Sequence, residues 1–266
     1  MQPTIRVSQS VIGFKDRAIK YLGLEEWKGN VIAQNDYVLF FGLYTKNDYD
    51  AFKIHQGKKA VFWCGSDILN LRANYESRRL LKIHPAEHFC ENEVEQAGLK
   101  ECGVEASIVP TYLGEPGEVS FTPSETPHIF MCGHPDREAE YGWELIEQIA
   151  EELPEFTFHL YGVDNSEFTE LPNMICHGKV PEEQFVEEIK KCQGSIRPNE
   201  HDGNSEVSMR CLFNGGYPIT RIPYDGIWNY TTKEELIEKL KLLKEQKEPN
   251  KAREDWLNKI NKFPFN

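Results

Sequence analysis

The sequence predicts an α/β protein with two parallel sheets, each covered by helices. Short apolar segments that suit strands alternate with amphipathic segments that suit helices, first over residues 37–110 and again over residues 128–222. Strands that are apolar throughout are typical of a parallel sheet whose two faces are both covered. Between the two series, residues 113–127 contain three prolines and two glycines without periodicity, which indicates a linker. The chain is therefore expected to fold as two domains.

The first domain is expected to span residues 1–115. The segments predicted to be strands are Thr4–Ser8, Tyr37–Tyr44, Lys59–Cys64, Glu87–Cys90 and Ala106–Pro110. The segments predicted to be helices, from their amphipathic spacing, are Lys15–Leu22, Asp48–His55, Ile68–Ile83 and Glu93–Cys102. The glycine-rich fingerprint of dinucleotide-binding folds does not occur in residues 1–36.

The linker is placed at residues 116–127, the second domain at 128–250, and a returning C-terminal helix at 251–266. The predicted strands are His128–Cys132, Thr157–Gly162, Met174–His177, Gly194–Arg197 and Pro218–Ile222. The predicted helices are Ala139–Leu153, Glu182–Cys192, one that begins at Asn204 or Ser205, one from Lys233 onward, and Ala252–Ile260. Acidic residues early and lysines late in the helix from Lys233 suit the helix dipole.

The charge, the cysteines and the apolar stretches of the chain argue against several classes of function. The 266 residues carry a net charge of −13, which argues against nucleic-acid binding as the main task because phosphate neutralisation needs clustered Lys and Arg. Seven cysteines, never spaced Cys-x-x-Cys, indicate free thiols in a reducing compartment rather than disulfides or a zinc site. The longest apolar stretch, Tyr37–Tyr44, is too short to span a bilayer, and the N-terminus lacks a signal-peptide pattern. We expect a cytoplasmic protein without an integral membrane segment; peripheral membrane contact is compatible with this.

The turn after the strand Gly194–Arg197 has the chemistry of an anion site. Small residues (Gly203, Asn204 and Ser205) stand where the next helix begins. There the first amides have no partner inside the helix, and the helix dipole favours an anion. Arg197 leaves the preceding strand towards the same point and adds a fork of donors for phosphate oxygens. The pattern therefore predicts an anion pocket for a diphosphate.

The same stretch, Arg-Pro-x-x-x-Asp-Gly-x-Ser from Arg197 to Ser205 with a helix and Gly-x-Pro after it, resembles the donor-binding segment of the large retaining family of GT-B glycosyltransferases. The resemblance implies two Rossmann-like domains whose parallel sheets face across a cleft. The first domain of this chain is expected to be shorter than is usual for that family. It implies transfer of a sugar from a nucleoside diphosphate sugar to a hydroxyl of a glycan, lipid-linked or small-molecule acceptor. It implies neither a metal nor a cofactor.

The resemblance also assigns roles to residues. Those implied to bind the donor diphosphate are Arg137, Arg197, Gly203, Asn204 and Ser205. Those implied to meet the nucleoside are Lys179, Val180, Glu206 and Arg210. Those implied to line the reacting sugar are Asp67, His201 and Asp202. Simpler interpretations stay open: both aspartates as helix caps, Arg137 as a solvated loop residue, and Lys179-Val180 as an ordinary turn.

Two positions depart from the family pattern. Cys64 stands where relatives have a histidine that contacts the donor sugar, and a thiol cannot replace imidazole as an acid or base. Arg210 stands where relatives have a ribose-binding glutamate; Glu206, one turn earlier, serves the ribose or pairs with Arg210. The alternatives are therefore an inactive glycosyltransferase-like subunit that binds nucleotide or glycan, or a sugar-nucleotide epimerase on the same scaffold.

Two short patterns imitate metal sites. His84-Pro85-Ala86-Glu87-His88 matches an inverted zinc-protease motif, but Pro85 and the strand-like segment after it oppose the helix that this motif needs. Asp48-Tyr49-Asp50 matches an Asp-x-Asp motif, but it opens a predicted helix, where aspartate is favoured as a cap. Neither pattern is expected to bind a metal.

Overall fold

The computed structural model describes residues 2–29, 36–134, 136–163 and 171–265. The chain divides into two compact units. The first unit comprises Met1–Glu115 together with His201–Asn204 and Lys259–Asn266. The second comprises Pro116–Glu200 and Ser205–Asn258. The turn at residues 201–204 therefore belongs to the first unit, although the segments on both sides of it belong to the second.

The first unit is built on a six-stranded parallel sheet with the strand order β2-β1-β3-β4-β5-β6. Its strands are β1 (Thr4–Val7), β2 (Glu25–Glu26), β3 (Val38–Phe41), β4 (Lys59–Phe62), β5 (Glu87–Cys90) and β6 (Ser107–Ile108). Its helices are α1 (Lys15–Leu22), α2 (Lys46–Ile54), α3 (Ser66–Ala73), α4 (Tyr75–Ile83) and α5 (Glu93–Glu101). The central strands β3 and β4 are buried at every position, as expected for a sheet covered on both faces.

Aromatic and aliphatic side chains fill the two faces of this sheet. On one face Phe40 and Trp63 lie in a cluster of buried residues with the helices α2 to α5. On the other face the C-terminal Phe263 packs edge-on against Phe62 and Phe89, with ring centroids 5.5 Å apart in both pairs. The tail thus supplies part of the core of the first unit.

The second unit repeats the plan with the strand order β12-β11-β10-β7-β8-β9, again parallel throughout. Its strands are β7 (His128–Cys132), β8 (Thr157–Tyr161), β9 (Met174–Gly178), β10 (Gly194–Arg197), β11 (Tyr217–Thr220) and β12 (Trp228–Asn229). Its helices are α6 (Trp143–Glu152), α7 (Glu182–Ile189), α8 (Glu206–Phe213), α9 (Lys233–Leu243) and α10 (Ala252–Lys259), whose last residue is assigned to the first unit. The two parallel sheets predicted from the sequence are confirmed.

Two predicted helices are wrong in extent. The segment Ile68–Ile83 forms two helices, because Asn74 has extended backbone angles and its side chain accepts the N–H of Ser77 to begin α4. The segment Ala139–Leu153 is divided at Gly142, whose φ of 65° is left-handed: a short 3₁₀ helix precedes it and α6 follows. Both breaks come from single residues that favour caps and turns.

Three further findings concern the predictions from composition. The seven cysteines are free thiols. Within the described ranges, no helix has both the length and the apolar character needed to cross a bilayer. Over the same residues, no group of three or more His, Cys, Asp or Glu side chains is arranged to hold a metal ion.

Candidate functional site

Two arginines meet at one edge of the second sheet. Strands β7 and β10 are neighbours, and their carboxyl ends lie at the edge where ligands bind in open α/β sheets. Arg197 is the last residue of β10, and its guanidinium carbon lies 4.9 Å from the ring centroid of Tyr141. Arg137 follows β7, and its guanidinium carbon lies 5.8 Å from the same centroid. The structure therefore brings both predicted phosphate-binding arginines to one aromatic ring.

Exposure and ion pairing differ between the two arginines. Arg137 is exposed and forms an ion pair with Glu140, three residues along the same turn. Arg197 is half-buried. The hydrogen bond to Glu140 raises the pKa of Arg137, although the nearby Arg197 charge opposes this. The sequence did not predict the contact of Tyr141 with the two arginines.

Gly142 allows the loops after β7 and β10 to approach. Its φ is 65°, and a Cβ added there would lie 2.7 Å from Cβ of Pro198, the residue after Arg197. A larger residue would push the two loops apart, and a left-handed φ is strained for any residue with a side chain. Gly142 thus holds Tyr141 next to the end of β10.

Replacing Gly142 with alanine is expected to cost about 1 to 2 kcal/mol of stability, because it combines a strained φ with a steric clash. Urea unfolding would measure the loss. Gly13→Ala is the matched control, since Gly13 has no atom within 4 Å of an added Cβ and no left-handed φ. Equal stability of the Gly142→Ala variant and the wild type would contradict the argument.

Helix α8 begins where the sequence placed the anion site. Ser205 is its N-cap, and its side chain accepts the N–H of Ser208 at 3.5 Å. The Ser208 hydroxyl is buried and has no hydrogen-bond partner within the described residues. The helix therefore begins after Ser205, the second of the two predicted positions.

The residues predicted to meet the nucleoside surround α7 and α8. Val180 packs against the buried cluster that contains Val207, whereas Lys179 is exposed. The guanidinium of Arg210 donates to Glu206 and to Glu182, both at 2.6 Å. Of the two roles left open for Glu206, the structure shows the pairing with Arg210. The basic charge at the ribose-glutamate position is thus neutralised by two carboxylates.

Asp67 lies in the first unit at the beginning of α3. Its carboxylate is fully buried and accepts the N–H of Leu43 at 3.2 Å and of Cys64 at 3.0 Å. Burial raises the pKa of Asp67 to about 7, although the backbone hydrogen bonds oppose this. Asp67 therefore joins the loops after β3 and β4 and also has the pKa of a group that exchanges protons near neutrality.

His201 and Asp202 come close to Asp67 through the turn at residues 201–204. The Nε2 atom of His201 lies 2.9 Å from the carbonyl oxygen of Gly65, two residues before Asp67. The carbonyl oxygen of Asp202 accepts a hydrogen bond from the Asn92 side chain at 2.9 Å. The structure thus gathers the three residues predicted to line the reacting sugar at one edge of the first unit.

An acidic side chain meets the predicted anion-binding turn. The Asn204 N–H donates to Oε2 of Glu91 at 2.6 Å. Burial raises the pKa of Glu91 to about 8, and the Asp202 charge adds to this. Burial, followed by the charge of Glu91, raises the pKa of the fully buried Glu95 well above its usual range. Sequence reasoning missed both glutamates; Glu91 had a signal, since it directly follows β5, whereas Glu95 looks like an ordinary early-helix residue.

The structure also places the residue that departs from the family pattern and the residues of the two patterns that imitate metal sites. Burial, followed by the Asp67 charge, raises the pKa of the Cys64 thiol well above its usual range, so the thiol stays protonated. Asp48 accepts from Arg6 and Ser8 at 2.7 Å each and completes the capping box of α2. His88 lies in β5 rather than on a helix. Asp48 and His88 thus have structural roles.

Comparisons with known proteins bear on the fold. No protein-family model and no curated protein sequence matches the chain. Solved structures do match. The lipopolysaccharide outer core galactosyltransferase WaaB is similar over 95% of this chain and 77% of its own, with a TM-score of 0.63 and 12% identity. An α,α-trehalose-phosphate synthase (UDP-forming) from Burkholderia xenovorans is similar over 85% and 70%, with a TM-score of 0.60 and 10% identity.

A TarM variant from S. aureus, solved in complex with UDP among other ligands, is similar over 84% of this chain with a TM-score of 0.59 and 10% identity. This chain spans about half of TarM, 52% of its length. These likenesses, together with the two parallel sheets, show that the chain has the GT-B fold. The fold implied by the resemblance in the sequence is confirmed.

Proposed function

We propose that the protein is a glycosyltransferase that moves a sugar from a nucleoside diphosphate sugar to a hydroxyl acceptor. The observation that supports this proposal most strongly is that Arg137 and Arg197 both lie against Tyr141 at the edge of the second sheet. The protein as a whole has a net charge of −13, so this pair of positive charges is a local feature. Two guanidiniums gathered at the carboxyl ends of parallel strands suit a diphosphate. The GT-B fold and the transferase and UDP-forming neighbours support this choice.

The chemistry proposed needs charge stabilisation more than a strong base. When the bond between the sugar carbon and the donor oxygen breaks, negative charge grows on the departing diphosphate. Arg197 and Arg137 would neutralise that charge, which lowers the barrier without a metal or other cofactor. The acceptor oxygen would form its bond to the anomeric carbon on the face from which the phosphate departs, and the departing phosphate would receive the hydroxyl proton. Attack on that face would give retention. Asp67, His201 and Asp202 would orient the sugar.

The nucleoside is proposed to lie near Val180, with Lys179 at the rim. The salt bridges of Arg210 to Glu182 and Glu206 are available to rearrange around a ribose, because Glu182 is exposed. We propose no base preference. The donor assignment depends on the arginines of the second unit and on the amides of Gly203, Asn204 and Ser205.

A second candidate is a nucleotide-binding subunit that does not turn over. It is favoured by Arg210 at the ribose-glutamate position and by Cys64, a protonated thiol in place of the sugar-contacting histidine. Calorimetry with UDP and GDP, followed by release of nucleotide from UDP- and GDP-sugars, separates the two candidates. Binding with turnover supports the transferase, whereas binding without turnover supports the subunit.

Replacing Arg197 with alanine is expected to weaken UDP or GDP binding about 30-fold, or about 2 kcal/mol, because a charge-assisted hydrogen bond to phosphate is lost. Isothermal titration calorimetry measures the affinity. Lys241→Ala, an exposed position on α9, removes the same charge and is expected to change affinity less than twofold. An Arg197→Ala variant that binds as tightly as Lys241→Ala would remove Arg197 from the phosphate site.

A further inference from the structure

The turn proposed to receive donor phosphate already holds a carboxyl oxygen of the chain itself. Oε2 of Glu91 accepts the Asn204 N–H at 2.6 Å. A Cβ added at Gly203 would lie only 2.0 Å from the same oxygen, so the carboxylate lies directly against the backbone of the turn. A carboxylate oxygen on a backbone amide has the same chemistry as a phosphate oxygen there.

The turn is held in place by contacts other than Glu91. Asn92 donates to the carbonyl oxygen of Asp202 at 2.9 Å, and the Asn204 side chain donates to the carbonyl oxygen of Thr111 at 3.2 Å. His201 contacts the carbonyl oxygen of Gly65 at 2.9 Å. Loss of the Glu91 contact therefore leaves the turn anchored on three sides, with the Asn204 amide ready for another acceptor.

Other carboxyl groups surround Glu91 in a buried place. Glu95 and Asp67 are fully buried nearby, and Asp202 adds a fourth carboxyl group. The backbone N–H of Glu91 donates to Oε2 of Glu95 at 2.7 Å, whereas Oε1 of Glu95 is buried without a hydrogen-bond partner within the described residues. Carboxyl groups crowded in a buried place cannot all ionise there, so this arrangement favours the departure of Glu91 when it is ionised.

We infer that Glu91 is a built-in competitor for the donor: its carboxylate occupies the amide that a phosphate oxygen of a nucleoside diphosphate takes, and it must leave before the nucleotide binds. The inference rests on the proposed function and adds the regulation of the same site. A site that is open for only a fraction of the time has its apparent affinity reduced by that fraction. Glu91 therefore sets the nucleotide affinity without touching the bound donor.

The test is calorimetric titration of UDP and of GDP into the full chain at one pH and one salt concentration. Glu91→Ala is expected to bind at least tenfold more tightly than wild type, and Glu91→Gln, which keeps an acceptor without the charge, is expected to lie between them. Glu93→Ala is the matched control, because Glu93 is exposed at the start of α5, two residues after Glu91, and its loss also removes one carboxyl group. Its affinity is expected to stay within twofold of wild type.

Each result of these titrations supports or overturns the inference. Unchanged or weaker binding by Glu91→Ala overturns the inference, and equal tightening by Glu93→Ala reduces the effect to net charge and also overturns it. Nucleotide binding that is the same in all four proteins refutes the competitor while leaving the proposed function standing. No binding of either nucleotide by wild type or Glu91→Ala refutes both. Thermal melts of all variants confirm folding, and Glu91→Gln, nearly equal in size to the wild type, carries the test if the alanine variant fails to fold.

Discussion

Raising the pH from 6.5 to 8.5 is expected to destabilise the first unit by about 3 kcal/mol. Asp67 has a pKa of about 7 and Glu91 one of about 8, both raised mainly by burial, and Glu95 follows in the same direction. In the unfolded chain these carboxyl groups titrate near pH 4. Each pH unit between the unfolded and folded pKa costs about 1.4 kcal/mol per group.

The sign follows from proton binding. Above pH 4 the unfolded chain has lost these protons while the folded unit still holds them, so stability falls as the pH rises towards the folded pKa values. From pH 6.5 upward the histidines of the chain contribute little, because their unfolded pKa is near 6.5. The carboxyl cluster therefore dominates the loss in this window.

Glu95→Gln tests this prediction. The amide keeps the shape of the side chain and its acceptor for the Glu91 N–H, but it cannot titrate. The slope of unfolding free energy against pH is expected to fall by at least half. Glu93→Gln, exposed on the same helix, is the control. Urea-dependent hydrogen exchange of peptides from β4 and β5 measures the unfolding free energy of the first unit alone. An unfolding free energy that does not change with pH in the wild type would contradict the prediction.

Lowering the pH from 6.5 to 4.5 is expected to destabilise the second unit by about 2 kcal/mol. Three histidines on neighbouring strands form a ladder: Nδ1 of His128 lies 2.8 Å from Nε2 of His159, and Nδ1 of His159 lies 2.9 Å from Nε2 of His177. Adjacent rings are stacked, with centroids 5.1 and 5.2 Å apart. Each of these contacts needs one ring nitrogen to donate and the other to accept, so the three rings cannot all be protonated.

Glu188 on α7 sets the direction of the ladder. Its Oε2 lies 3.5 Å from Nδ1 of His177 and accepts the Tyr161 hydroxyl at 2.9 Å. A proton on Nδ1 of His177 makes its Nε2 an acceptor, which in turn orders His159 and His128. Burial, together with the charges of the two neighbouring histidines, lowers the pKa of His159 to about 4. Burial also lowers the pKa of His128.

The sign here is opposite to that of the carboxyl cluster. Between pH 6.5 and the folded pKa of about 4, the unfolded chain takes up protons that the folded ladder refuses, so stability falls with the pH. Two pH units correspond to about 3 kcal/mol, which solvent access to the partly exposed ring reduces to about 2.

His159→Gln is expected to flatten this acid dependence, whereas His134→Gln, which alters an exposed histidine of the same unit, is expected to leave it unchanged. Hydrogen exchange of β7 and β8 peptides in urea between pH 6.5 and 4.5 measures the second unit. An equal acid slope in His159→Gln and wild type would show that the ladder does not control acid stability. The comparison uses the slope of stability against pH, because His159→Gln also loses ring stacking and with it some absolute stability.

Local patterns were enough to predict most elements. The apolar segment His128–Cys132 is a strand with the predicted bounds, and Lys15–Leu22 is a helix with the predicted bounds. Strands of this kind are recognisable because a sheet covered on both faces needs apolar side chains at every position. The anion-type turn was also visible, because its small residues stand directly between a strand and a helix.

The sequence by itself determined the two-sheet α/β plan, the linker composition, the free thiols and the residue types of the donor turn. Only the tertiary structure decided which side chains meet. Tyr141 joins Arg137 and Arg197 because β7 and β10 are neighbours in the sheet, and Glu91 reaches Asn204 across 113 residues of sequence. The histidine ladder likewise depends on the order β7-β8-β9. Contacts of this kind depend on strand order and register, which arise from packing of the whole sheet and leave no signal in a local stretch of sequence.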